Sequence, residues 1–312
     1  MKNVLITGGA GFIGSNLAFK IQKDFPQAKI TVVDDFRGSN LKNLSGFKGE
    51  TLTFDVAQKE WLKAFQNRPL DAIFHLASIT DTTILDEKKM MFDNVEGFRN
   101  ILGLALQKKA PVVYASSAAV YGSQEKPMKE EDAGKPNNVY GVSKWTMDQL
   151  TRDFEGKLKV VGLRYFNVFG PGEWFKGAAA SMIYQLARQM LAGKRPRIFK
   201  WGEQRRDFIY VKDVVEATLR GLCAKQNTIV NVGTGRSTSF NEVIEALNEG
   251  LGTSLAPDYF DNPYDFYQNF TQADVAKAKR DLGFEARFST HDGIVDYVRN
   301  FLLPSAKTNV VN

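Results

Sequence analysis

The sequence predicts an α/β protein: a doubly wound parallel sheet followed by a smaller C-terminal substrate-binding region. Three observations carry that prediction. Short apolar runs alternate with amphipathic helical stretches through the first half of the 312-residue chain. Glycines at 8, 11 and 14 separate the first apolar run from the first helical stretch. Near residue 168 the rhythm breaks, loops lengthen, and aromatics and prolines gather, as in "APDYFDNPYDFYQNF" at 256–270. Apolar strands separated by helices argue for a parallel sheet covered on both faces, because such strands have no side to show to water.

The elements follow in order. The first strand is "NVLIT" at 3–7, and a helical pattern runs from Gly14 to Asp24. Further strands are expected at 30–34, 51–54, 72–76, 112–116 and 160–164, with helices from Glu87 to Lys109 and from Val139 to Phe154. "TIVNVG" at 228–233 reads as one more strand returning to the sheet, ahead of a helix that begins at Phe240. The expected division is a dinucleotide-binding domain over 1–167, rejoined by 208–240, with 168–312 mainly a substrate-binding region. The tail from Pro304 is the stretch whose order the sequence leaves open.

Composition narrows the class. A chain of this size buries roughly 75% of its unfolded surface, and 43% hydrophobic with 24% charged residues is an ordinary soluble balance. No apolar run approaches the ~20 residues of a membrane span, and "MKNVLITGG" has no secretory pattern, so a cytoplasmic protein without a membrane partner is expected. Cys223 is the single cysteine, which rules out an internal disulfide and suits a reduced compartment. With His75 and His291 as the two histidines, no metal site is expected. The net charge of +6 invites a nucleic-acid partner, but the basic residues are scattered and densest only at 194–206. A basic surface with a local anion site accounts for them better, and it suits an acidic small-molecule substrate rather than nucleic acid.

"ITGGAGFIGS" at 6–15 places Gly8, Gly11 and Gly14 between a strand and a helix. Glycine there permits a tight turn and lets bare backbone approach a pyrophosphate at the positive helix end. A plain strand-to-helix turn is the competing account, and Asp34 weighs against it. It ends the next strand twenty residues after Gly14, where a carboxylate accepts from adenine-ribose hydroxyls. Phe12, Ile13, Asp55, Val56, Leu76, Ala77, Ser78, Asn94 and Val168 complete the expected cofactor contacts. Asp34 and Asp35 would repel a 2′-phosphate while Arg37 could pair with one, so NAD and NADP both stay open.

"NVYGVSK" sets Tyr140 and Lys144 one helical turn apart on one face. An ammonium near a phenol favours phenolate, which suits proton transfer near neutral pH. Ser116 and Ser117 end the strand upstream, where a hydroxyl could bond a sugar hydroxyl or a developing carbonyl. This combination resembles the extended short-chain dehydrogenase/reductase family, in which such a sheet is Rossmann-type. The resemblance implies Tyr140 as acid/base, Ser117 as its assistant and Lys144 as holder of the nicotinamide ribose. Ala118 and Ala119 stand where the nucleotide-sugar 4,6-dehydratases of that family carry an Asp-Glu pair, so dehydration is not expected.

The second half narrows the resemblance. "RYFNVFGP" (164–171), "FKGAAAS" (175–181), "RRDFIYVKDV" (205–214), "NVGTGRSTSF" (231–240), "YQNFTQAD" (267–274) and "DTT" (81–83) are similar to the ADP-heptose 6-epimerases of that family. The resemblance implies that Lys176 faces Tyr140 across the inverted carbon as a second acid/base. Inverting one carbon asks for proton transfer on two faces, and desolvation in a small-residue loop lowers a lysine's pKa. A phosphate contact and a solvated loop residue are the other readings of Lys176, in that order. Asn167, Ala178, Gln185, Arg206 and Tyr267 are further expected substrate contacts, with Arg206 forking onto a diphosphate. The resemblance also implies an ADP-heptose substrate, a homo-oligomer and a place in lipopolysaccharide core synthesis. The competing accounts are a UDP-hexose 4-epimerase and a cofactor-sensing protein without chemistry; the latter would not need Tyr140 and Lys144.

Overall fold

A computed structural model describes residues 1–80, 86–263 and 268–307. Seven strands form one parallel sheet: β1 (Asn3–Thr7), β2 (Lys29–Asp34), β3 (Glu50–Thr53), β4 (Ala72–His75), β5 (Val112–Ser117), β6 (Val160–Tyr165) and, after four short strands elsewhere, β11 (Thr228–Val232). Their spatial order is β11-β6-β5-β4-β1-β2-β3. The order reverses between β1 and β4, which opens a crevice at the carboxyl ends of those strands. All seven sequence-expected strands are present, each within a residue or two of its expected limits.

Alternation along each strand splits the core in two. Val4, Ile6, Val32 and Phe74 pack into one cluster with Leu17 and Ile21 of α1 (Phe12–Asp24) and Val214 of α5 (Val211–Arg220). Leu5, Val33, Ile73 and Tyr114 pack on the other face with Phe98 and Ile101 of α2 (Glu87–Lys108) and Met147 of α3 (Val139–Leu150). Covering both faces is what the unbroken apolar strands demand, and each fully buried side chain of this size contributes about 1.5–3 kcal/mol. The helix expected over 139–154 ends as α at Leu150 and tightens into a 3₁₀ turn over Thr151–Phe154, where the Thr151 hydroxyl donates back to the Asp148 carbonyl.

The remainder caps the strand ends. It holds β7 (Asn167–Phe169), α4 (Met182–Leu191), β8 (Arg197–Phe199), β9 (Arg205–Arg206), β10 (Phe208–Tyr210), β12 (Thr238–Ser239), α6 (Phe240–Leu251), β13 (Asp258–Phe260), α7 (Ala276–Leu282) and α8 (Thr290–Tyr297). Its strands pair only in twos: β7 with β10, β8 with β13, and β9 with β12. Leu303–Lys307 is helical, and the residues after it lie outside the described ones.

Candidate active site

The crevice between β1 and β4 opens into a groove of about 620 Å³, lined among others by Gly8, Gly11, Asp34, Asp55, Leu76 and Lys176. A side chain at Gly8, whose φ is +69°, would come within 2.5 Å of the Ala77 amide nitrogen. One at Gly14 would come within 2.1 Å of the Gly8 carbonyl oxygen. The groove wall is therefore bare backbone, and Phe12 and Ile13 begin a helix whose first turn carries no acid. Its positive end is left for an anion. These features suit a dinucleotide. A cavity of about 680 Å³ near the amino ends of the strands is lined by Asn3, Lys29, Glu50 and Arg68, away from all of these groups.

Asp34 is buried and accepts from the Ala10 amide (2.9 Å), the Phe36 amide (2.9 Å) and the Ser39 hydroxyl (2.7 Å). Three of roughly four acceptor positions are used, so it braces the glycine loop and keeps capacity for one further donor. Arg37 is ringed by carboxylates: Asp35 at 2.6 Å, Asp93 at 2.7 Å and Asp55 at 3.3 Å. Val56, Ala77, Ser78 and Asn94 line the same groove. The Asn94 amide also brackets Ile79 and donates to Ser143 of α3 at 3.0 Å, tying the β4 end to the tyrosine helix.

That helix starts at Asn138, whose side chain caps the Gly141 amide at 2.8 Å. Tyr140 is half-buried in its first turn, and Ser117 ends β5 beside it. Burial pushes the Tyr140 phenol up, opposed by a hydrogen bond with Ser117. Burial also pushes the Lys144 ammonium down to about 7, opposed by Asp148. Lys144 does not depress the phenol as the spacing predicts. Its Nζ donates to the Ala115 carbonyl at 2.8 Å and lies 5.8 Å from the centre of the tyrosine ring.

Behind Lys144 lies a polar network the sequence did not announce. Asp148 pairs with Arg164 at 2.9 Å and accepts from the Tyr114 hydroxyl at 2.7 Å, while Arg164 reaches Tyr121 at 3.0 Å. His75, expected only as a non-ligand, is buried with Nδ1 2.8 Å from the Thr7 hydroxyl. Burial, and then the Lys144 charge, push it down to about 3, so the ring is neutral.

Lys176 sits in a 3₁₀ segment, Trp174–Ala179, between β7 and α4. Burial lowers its pKa, opposed by Glu173, as desolvation in a small-residue loop predicts. Its Nζ stands 5.8 Å from the centre of the Phe12 ring, on the glycine-loop side of the groove. The segment is stitched there: Asn43 donates to the Ala10 carbonyl and the Gly172 carbonyl, both at 3.1 Å, and accepts from the Trp174 indole at 2.8 Å. Asn16 reaches the Pro171 carbonyl at 2.8 Å.

The softer expectations divide. Gln185 donates to the carbonyls of Ala178 (3.1 Å) and Ala180 (2.8 Å), which makes it a brace for the lysine loop. Ala178 is exposed on that loop. Asn167 donates to the Asp207 carbonyl and the Thr271 hydroxyl, and Val168 packs on the main core rather than lining the groove. Arg206 is buried and donates to the Arg205 and Gln268 carbonyls. Tyr267 and the 81–83 stretch lie outside the described residues. The sequence also passed over Glu173 and Asn43. A single acid inside "FGPGEWFKG", three residues before the lysine, was the signal for the first.

Over residues 4–233 the chain matches the family described as NAD dependent epimerase/dehydratase. Among solved structures it is similar to the ADP-L-glycero-D-manno-heptose-6-epimerase of Helicobacter pylori: 40% identical over 98% of this chain and 96% of that one, TM-score 0.91. It is also similar to the UDP-glucose 4-epimerase of Thermotoga maritima, solved with UDP-glucose: 28% identical, covering 97% and 99%, TM-score 0.88. The UDP-glucose-4-epimerase of Stenotrophomonas maltophila, solved with NAD and formylated UDP-arabinopyranose, is 25% identical over 99% and 100%, TM-score 0.87.

Proposed function

The chain belongs to the NAD dependent epimerase/dehydratase family, and from that premise we propose that it inverts C6 of an ADP-glycero-manno-heptose. The observation that carries this reading is the lysine loop. Two candidate proton-transferring side chains stand on separate elements: Tyr140 on α3, and Lys176 on the 174–179 segment, which lines the groove. The 40% identity to the heptose epimerase supports the choice of sugar.

The glycine loop, Asp34, Tyr140 and Lys144 would hold the nicotinamide dinucleotide, which when bound accepts a hydride from the sugar carbon and returns it. We read it as NAD, because the three carboxylates around Arg37 leave a 2′-phosphate facing like charge. The chain's own groups handle the protons. Tyr140 takes the hydroxyl proton on one face, and Ser117 bonds the same oxygen. Lys176, its pKa lowered by burial, serves the opposite face. In the observed conformation its ammonium rests over Phe12, on the lining of the groove. Ala118 and Ala119 form the turn after β5 and supply neither acid nor base for dehydration.

That resting place favours one competing reading. If Lys176 holds a phosphate on the glycine-loop side, Tyr140 serves both faces and a UDP-hexose 4-epimerase is the better account. Incubation with ADP-D-glycero-D-manno-heptose, following C6 by NMR, separates the two. The heptose reading requires inversion by wild type and its loss in Lys176→Met with cofactor binding retained. No inversion by wild type overturns it.

A further inference from the structure

We propose that Glu173 is the positioning residue of the lysine loop: its buried carboxylate ties Gly170 to Ser181, the two roots of the segment that presents Lys176. The side chain is 1% exposed although it lies in a surface loop. One carboxylate oxygen accepts from the Gly170 amide and the Ser181 hydroxyl, each at 3.0 Å, and the other accepts from the Ser181 amide at 2.6 Å. Its own carbonyl accepts from the Lys176 amide at 3.0 Å, so the same residue starts the turn on which the lysine rides. Ser181 in turn caps α4 through the Tyr184 amide at 3.1 Å. The carboxylate therefore joins the end of β7, the lysine turn and the start of α4 at one point.

A buried carboxylate is costly to hold without full hydrogen bonding, and one held in a surface loop implies a geometry the loop must keep. Lys176 is the charged group beside it, and the Tyr297 phenol of α8 faces it from the far side. The negative charge acts on Lys176 in the direction of protonation, against burial. Glu173 thus sets where the ammonium stands and how readily it gives up a proton, while touching neither substrate nor cofactor itself. The role in catalysis rests on reading Lys176 as the second acid/base; the positioning itself does not.

The test is lysine-by-lysine acetylation of the full chain across pH, read by mass spectrometry in wild type, Glu173→Gln and Ser181→Ala. Loss of the neighbouring charge should raise Lys176 reactivity at pH 8 about five- to tenfold in Glu173→Gln, a shift of up to one pH unit, with the other lysines unmoved. Ser181→Ala, which removes the hydroxyl's bond to Glu173 and its cap on the Tyr184 amide but keeps the charge, should raise hydrogen exchange at Gly170 and Tyr184 without that shift. With the ADP-heptose as substrate, Glu173→Gln should lower kcat about tenfold with little change in KM. Unchanged Lys176 reactivity in a folded Glu173→Gln protein overturns the proposal. A wild type that does not invert the sugar, while the reactivity shift appears, overturns the substrate reading and leaves the positioning role in place.

Discussion

The sheet and its cap solve the same problem by different means. In the sheet, backbone groups pair with one another along seven strands, so side chains need only be apolar and of fitting size. The cap has ladders of two or three residues and many loop amides with no strand to pair with. Buried carboxylates take their place. Asp207 accepts from the Thr234 amide (2.8 Å) and hydroxyl (2.7 Å), the Gly235 amide (3.0 Å) and the Ala273 amide (3.0 Å). Glu173 does the same for the lysine loop. The lesson is that the cap's stability is concentrated in a few polar side chains, whereas the sheet's is spread over many apolar ones.

The largest expected effect tests whether the chemistry lives beside the end of β5. Tyr140→Phe should lower turnover about 10³-fold, roughly 4 kcal/mol, with NAD affinity by calorimetry changed less than about twofold. Next, Asp207→Ala should cost about 3 kcal/mol in urea unfolding, as much as Leu5→Ala in the sheet core, because it strands several buried donors. A loss below about 1 kcal/mol for Asp207→Ala would break the contrast between sheet and cap.

The third prediction uses pH. Burial holds the Glu173 carboxyl up near 7, above the 4.5 of a free glutamate. A raised carboxyl stabilises the fold fully below its unfolded value, and that contribution is lost as pH rises through about 7. Glu173→Gln has no such proton to lose, so its stability relative to wild type should improve by about 2 kcal/mol between pH 5 and 8, read from urea midpoints. The smallest effect belongs to Trp201, 66% exposed in the cap: Trp201→Ala should shift stability by less than about 0.5 kcal/mol in the same assay.

The same contrast governs what could be read in advance. β1, β4, β5 and β6 were legible because residues such as Val4, Leu5 and Ile6 must be apolar on both faces, a pattern that neither a half-exposed strand nor a surface loop would carry, whereas β3 at the sheet edge is exposed at Glu50 and Thr53. Gly8 and Gly14 were legible because backbone presses on the places their side chains would fill. Tyr140 and Lys144 stood out by helical spacing. Glu173, Asp207 and Asn43 carry no periodicity: Asp207 and Asn43 answer to groups far away in the chain, and Glu173 to the amides of Gly170 and Ser181 at the two ends of its own loop. Lys144 shows the remaining gap: spacing placed it by Tyr140, but only the fold reveals that its ammonium turns to the Ala115 carbonyl.

The return of β11 to the sheet has a consequence for synthesis. A chain that has emerged only through Tyr165 carries six of the seven strands, and β6 then presents an unpaired edge of wholly buried-type residues. That edge stays bare while residues 166–227 are made, because its partner is Thr228–Val232. Asn231, inside the late strand, also closes onto the Met128 carbonyl (2.9 Å) and the Asp274 carbonyl (3.1 Å). Pairing across such a separation is slow, and exposed edges of this kind recruit other chains. The nascent protein is therefore at its most aggregation-prone between translation of residue 165 and residue 232, and a truncation anywhere in that interval inherits the same hazard permanently.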